Sequence, residues 1–204
     1  MSEKAMSTDS RLHSMGGFTR KQALGTKGLT LAGMLGALSI VLSMTPIGFI
    51  PLPTGINATT MHIPTIMAAI LGGPITGTLV GLIFGVSSFL RANNPFFANP
   101  IIAILPRLLI GVVSYYSYVG IKVTLIEKFK MNSAKGKSAA IVGASVLGTA
   151  TNTVGVLSLV YAFGYLPLSV VLTVAATNGI AEMIASGVIV LAVLKSLEKS
   201  RLFK

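Results

Sequence analysis

Apolar runs about as long as a bilayer is thick recur along this chain, and very little charge interrupts them. Between Lys137 and Glu182, for example, there is no Asp, Glu, Lys or Arg. Lipid offers no hydrogen-bond partner to a bare peptide group, so such segments cross a membrane as helices, which satisfy their backbone internally. A soluble domain carries roughly a quarter charged residues, whereas this chain of 204 residues carries 10%. The expected fold is an all-α integral membrane protein, a compact bundle of six transmembrane helices. The spans fall at approximately 29–50, 59–72, 74–92, 101–122, 138–162 and 168–194. The second is short, and Gly72-Gly73-Pro74 reads as a tight turn into the third.

The net charge of +11 raises the question of nucleic acid, but its distribution points away from one. Lys4, Arg11, Arg20, Lys21 and Lys27 precede the first span. Lys122, Lys128, Lys130, Lys135 and Lys137 surround the loop between the fourth and fifth. Lys195, Lys199, Arg201 and Lys204 follow the sixth. An even number of spans puts all three clusters on one face, which the positive-inside rule makes cytoplasmic. The expectation is therefore a multi-pass cell-membrane protein, as in a bacterial plasma membrane, with both termini cytoplasmic. Residues 1–28 are expected to form a flexible basic tail, since they lack the apolar core of a signal peptide. Residues 29–198 then form the membrane domain and 199–204 a second tail.

Two basic residues break this pattern. Arg91 and Arg107 both fall in the outer half, within "FLRANNPFFANPIIAILPR" (89–107). A cation inside a membrane costs about 2.5–3.5 kcal/mol on insertion scales, so it faces a cavity or a partner. Of the five acidic residues only Glu182 lies within a span, leaving few acids to pair with Arg107. Helical periodicity places polar groups on matching stripes. These are Arg107, Gly111, Ser114 and Tyr115 in the fourth helix; Ser145, Thr149, Asn152 and Thr153 in the fifth; and Asn178 and Glu182 in the sixth. His62 stands near the start of the second. Phe96 and Phe97 are placed to act as a lid or as interface anchors, and the prolines of 45–60 favour a stiff extended loop. The candidate substrate-binding set is Arg91, Asn94, Arg107, Tyr115, Asn152, Asn178, Glu182 and His62. An outward-opening pocket with arginine at its mouth and amides below suits a small, polar, anionic organic molecule.

No catalytic or metal constellation emerges. Cysteine is absent, and no H-E-x-x-H or G-x-S-x-G pattern occurs. "AKGKSAA" (134–140) lacks the first glycine of a phosphate-binding loop. The chain is read as a non-enzyme that needs no cofactor of its own, so a partner must power any uphill transport. In the first helix Ala32/Gly36 and Gly33/Ala37 are small residues four apart, which let another helix approach closely.

These features are similar to those of a known family. With "AGMLGA", "MHIPTIMAAILGGPITGTLVGLIFGVSSFLRA", "NPIIAILPRLLIGVVSYYSY" and "NGIAEMIASGVIV", the chain resembles the substrate-binding S components of energy-coupling factor (ECF) vitamin transporters, from about 29 to 198. The resemblance implies capture of a water-soluble vitamin from outside, and association with a transmembrane T component and two cytosolic ATPases that use ATP and Mg. It also implies toppling in the membrane to deliver the ligand. It assigns T-component docking to Ala32, Gly33, Gly36 and Ala37, and ligand contact to Arg91, Asn94, Arg107, Asn152 and Asn178. The pantothenate-type branch is the nearest in appearance. Folate, riboflavin, pyridoxine-type compounds, hydroxymethylpyrimidine and cobalamin are alternatives, since one fold is reused with different linings. From other classes stand an autonomous small-solute channel or facilitator and an intramembrane enzyme built on Glu182 and His62.

Overall fold

The computed structural model describes residues 25–50, 58–92 and 94–200. Its elements are almost entirely helical. Helix α1 spans Thr26–Met44, α2 Ile63–Gly72, α3 Pro74–Arg91, α4 Pro100–Lys128, α5 Ser133–Ala162 and α6 Leu168–Lys199. Among the described residues, five of these are long and apolar enough to cross a membrane. The exception is α2, whose length of about 15 Å at the usual helical rise falls short of a bilayer core. Residues 63–69 are all buried, so the first two turns of this helix meet protein rather than lipid, a setting in which a short segment at membrane depth is tolerated.

Local chemistry sets the boundaries. Helix α1 begins within the expected tail, at Thr26, and stops well before residue 50. The residue before a proline is pushed out of the helical region, and Thr45, preceding Pro46, is extended at φ −116°, ψ 152°. A single turn, Pro46–Gly48, leads to a small antiparallel ladder in which β1 (Phe49–Ile50) pairs with β2 (Ala58–Thr59), Phe49 opposite Thr59. Helices α2 and α3 are nearly continuous, broken only at Gly73, whose φ of 90° suits glycine. Asn99 caps α4, its side chain accepting from the Ile101 N–H at 3.0 Å. Asn132 caps α5 in the same way through Ala134, at 2.9 Å. That cap starts α5 five residues earlier than the span expected from 138, and α6 runs on into the expected second tail. Of that tail, residues 201–204 lie outside the described residues, as do residues 1–24 of the first.

The helices pack in chain order, α1 on α3, α2 and α3 on α4, α4 on α5, and α5 on α6. The tightest approach is between α3 and α4. Gly77, Gly81 and Gly85 recur every fourth residue along α3. A Cβ at Gly81 would meet the backbone carbonyl of Arg107, and one at Gly85 would meet the Ile104 backbone. Facing them on α4, a Cβ at Gly111 would run into the backbone of Gly77 and Thr78. Backbones that approach this closely make their own van der Waals contact, the main cohesive force between helices in lipid. The exterior is apolar, with Met34, Leu82, Leu109, Val154, Ile184 and Val188 exposed. The interior is mixed, and Thr65, Thr76, Ser114, Ser145, Thr149 and Ser186 are almost wholly buried.

Gly111→Leu should therefore push α4 off α3 and destabilise the bundle by about 1–3 kcal/mol. Thermal unfolding in detergent should show a lowered midpoint, while Gly120→Leu, where an added Cβ meets nothing within 4 Å, should leave it in place.

Candidate functional site

Helix α4 contains Pro106 in its interior. A proline has no N–H, so the carbonyl four residues back, that of Ile102, loses its helical donor. The next side chain takes that place, and Arg107 Nη1 donates to the Ile102 carbonyl at 2.6 Å. The guanidinium is thereby folded back toward the N-terminal end of α4, between two aromatic faces. Its carbon lies 4.8 Å from the Phe97 ring centre and 5.4 Å from that of Phe84. Arg107 is only 3% exposed, and its Nε has no hydrogen-bond partner. Among the described residues no carboxylate lies within ion-pair distance of it; the one ion pair joins Lys137 and Glu198. Cation–π contact stabilises a desolvated guanidinium by up to about 2 kcal/mol but leaves most of its donors unused.

Those donors border a cavity of about 500 Å³, a size that takes a small organic molecule. Six of the residues singled out from sequence line it together: Arg91, Asn94, Arg107, Asn152, Asn178 and Glu182. Arg91 and Asn94 are exposed at its rim. Phe96 and Phe97, which touch edge-on at 4.7 Å, form part of its wall. Asn152 is buried, and its Oδ1 is unpartnered.

Glu182 is held by the short ladder and by α5. Its Oε1 accepts from the Thr59 N–H at 2.6 Å and from the Thr59 hydroxyl at 3.1 Å. Its Oε2 accepts from the Thr153 hydroxyl at 3.1 Å. The carboxylate thus ties β2 and α5 to α6. Thr59, Ser43 and Phe84 line the cavity without having been singled out from sequence. Thr59 stands in an Asn-Ala-Thr triplet that reads as a glycosylation pattern, which gave no hint of its pairing.

Two of the expected residues lie elsewhere. His62 does not border the cavity; it is wholly buried one layer below, with Nε2 3.0 Å from the Thr149 hydroxyl. Thr149 in turn lies 2.7 Å from the Ser186 hydroxyl, so an imidazole and two hydroxyls lock α2, α5 and α6 together. Tyr115 is also outside the cavity, buried edge-on against Tyr116 at 5.3 Å. It sits two helical turns beyond Arg107, where α4 has already entered the packed core. The small residues of α1 divide. Ala32 and Gly36 are buried, and a Cβ at Gly36 would press on the Ile83 side chain. They therefore serve packing within the bundle and offer nothing to an outside partner. Gly33 and Ala37 are exposed, and space around Gly33 is open.

Helices of spanning length, an apolar exterior and a cavity bordered by a buried cation, a carboxylate and amides are the features of a polytopic membrane protein. Comparison with known proteins makes this specific. The family described as "ECF transporter, substrate-specific component" matches residues 27–194, and the chain belongs to it. That family is a transporter's substrate-binding component rather than an enzyme. The chain is also similar to the pantothenic acid transporter PanT of Lactococcus lactis subsp. cremoris (strain MG1363). The two are 28% identical over 174 residues, covering 73% of this chain and 82% of that one.

Thr149→Val keeps the side-chain shape but removes the hydroxyl between His62 and Ser186. A buried polar group left without a partner costs about 1–3 kcal/mol, so the unfolding midpoint should fall while ligand affinity stays unchanged. A large loss of affinity with an unaltered midpoint would instead return His62 to the binding site.

Proposed function

We propose that this chain is the substrate-capture subunit of an ATP-driven ECF-type vitamin importer and that its substrate is pantothenate. Six helical segments with both termini cytoplasmic, in a bacterial plasma membrane, would open the cavity to the outside. Residues 1–28 and 199–204 are then the cytoplasmic flanks of one membrane domain. A transmembrane T component and two ATPases would reorient the loaded subunit, with ATP and Mg used in those partners and no cofactor in this chain. Gly33 and Ala37, on the outer face of α1, are the positions at which a T-component helix can approach closely.

The observation that carries this reading is Arg107, a buried cation with no carboxylate partner among the described residues, at the wall of a cavity of small-molecule size. An anionic ligand supplies what the protein lacks, and charge-assisted hydrogen bonds to a guanidinium are strong and directional. The similarity to the lactococcal pantothenic acid transporter supports pantothenate among the anionic vitamins.

Arg107→Ala should weaken pantothenate binding by about 2 kcal/mol or more, a loss of at least roughly thirtyfold, read by calorimetric titration of the purified protein. An unchanged dissociation constant would remove Arg107 from the site. Gly33→Leu should abolish co-purification with the T component and spare ligand capture. Steady pantothenate flux through liposomes holding this chain alone would argue for a facilitator instead.

A further inference from the structure

A second cavity, of about 640 Å³, lies between the opposite ends of two of these helices, where α5 begins and α6 finishes. Lys135 of α5 and Lys195 and Lys199 of α6 line it, and Glu198 is the one carboxylate among its lining residues. Lys195 and Lys199 stand four apart and so share a face of α6. Glu198 is already engaged, its Oε1 3.7 Å from Lys137 Nζ. That leaves the three lining lysines without an ion-pair partner among the described residues. All three are exposed, and like charges gathered round one groove repel one another, which an anion lying between them relieves. Ser138 donates its hydroxyl to the Ala134 carbonyl at 2.9 Å, so recognition here rests on the lysines.

The level of the groove along the helices indicates what carries the anion. On α6 the exterior is apolar through Val188, Ile189 and Val193, and it turns basic at Lys195. In the loop leading into α5, exposed Phe129 and Met131 alternate with exposed Lys128 and Lys130. A change from apolar to basic within one turn marks where a membrane helix leaves hydrocarbon for the headgroup layer. Lysine side chains at that level reach lipid phosphates. A zwitterionic headgroup brings its own ammonium toward three cations, whereas a headgroup of net negative charge does not.

We propose that this groove binds the phosphate of an anionic phospholipid headgroup, held by Lys135, Lys195 and Lys199. The chemistry recognised is a phosphate group of net negative charge, and its source is the bilayer rather than free phosphate. The site is separate from the ligand cavity and independent of the pantothenate reading. A lipid seated there bridges the start of α5 and the end of α6, adding to the Lys137–Glu198 pair between the same helix ends.

The test titrates the purified full chain, in neutral-detergent micelles containing phosphatidylcholine, with phosphatidylglycerol and counts bound lipid by native mass spectrometry. Wild-type protein should retain phosphatidylglycerol at least about tenfold over phosphatidylcholine. Lys135→Gln/Lys195→Gln/Lys199→Gln should lose that preference. Lys135→Arg/Lys195→Arg/Lys199→Arg, which keeps the charge, should hold it. Lys27→Gln/Lys128→Gln/Lys130→Gln removes as much charge outside the groove and should leave the preference within about twofold of wild type. Absence of any preference in wild-type protein would overturn the site. Equal loss in the two glutamine variants would overturn it as well, by assigning the effect to diffuse surface charge. Displacement of the lipid by inorganic phosphate at equal concentration would give the groove to the free anion and overturn the lipid assignment.

Discussion

A guanidinium buried inside a bundle of apolar helices is the constraint around which the cavity end of this structure is arranged. Its desolvation is expensive, and among the described residues no acid lies within ion-pair distance of it. The chain meets part of the cost locally, through a dipeptide. Pro106 strips one carbonyl of its helical donor, and Arg107 returns a donor to the same oxygen. Two phenyl rings, from α3 and from the turn Pro95–Ala98, cover the flat cation. Gly81 lets the α4 backbone at Arg107 sit against α3. Substituting any bulkier residue there would move the helix that aims the cation. Among the described residues the Arg107 Nε finds no hydrogen-bond partner, so the cation is only partly satisfied where it borders the cavity.

The polar groups of the interior are otherwise handled within the helices. Ser145 and Thr149 each donate to the carbonyl four residues back, at 2.8 Å, a bond that removes the hydroxyl's demand for an outside partner. Ser138, Thr151 and Ser158 do the same on other faces of α5. This is how a helix rich in hydroxyls remains compatible with lipid. It also explains why the polar stripe of α5 is mostly structural, while Asn152, whose amide cannot be satisfied in that way, borders the cavity.

Much of this was legible in the sequence, for physical reasons. A membrane charge must have a partner or a void, so Arg107 and Glu182 were conspicuous, and helical spacing put Asn152 and Asn178 with them. Spacing cannot tell at what depth a stripe passes from cavity to core, and for that reason Tyr115 and His62 were grouped with the site although both lie in packed protein. Small residues four apart mark close helix approach without saying which helix approaches. On α1 the pattern suggested an outside partner, yet half of it turns inward to Ile83. The glycine ladder of α3, which sets the position of Arg107, uses the same spacing and packs wholly within the bundle. The bond from Thr59 to Glu182 spans most of the chain, and no local pattern encodes a contact of that kind.

Helices α5 and α6 are joined by two polar rungs, one turn apart on each helix. The inner rung, Thr149 with Ser186, is closed by His62 and buried completely. The outer rung, Thr153 with Glu182, borders the cavity and is closed by Thr59. Residues four apart lie one above the other on a helix, so the inner rung fixes the spacing and rotation at which the outer one faces the cavity. The hydrogen bonds of the inner rung involve no cavity-lining residue, so that rung joins α2, α5 and α6 independently of the outer one. The two layers thus differ in what they face: the buried one meets only protein and holds the helices in register, and the one above it presents its side chains to the cavity.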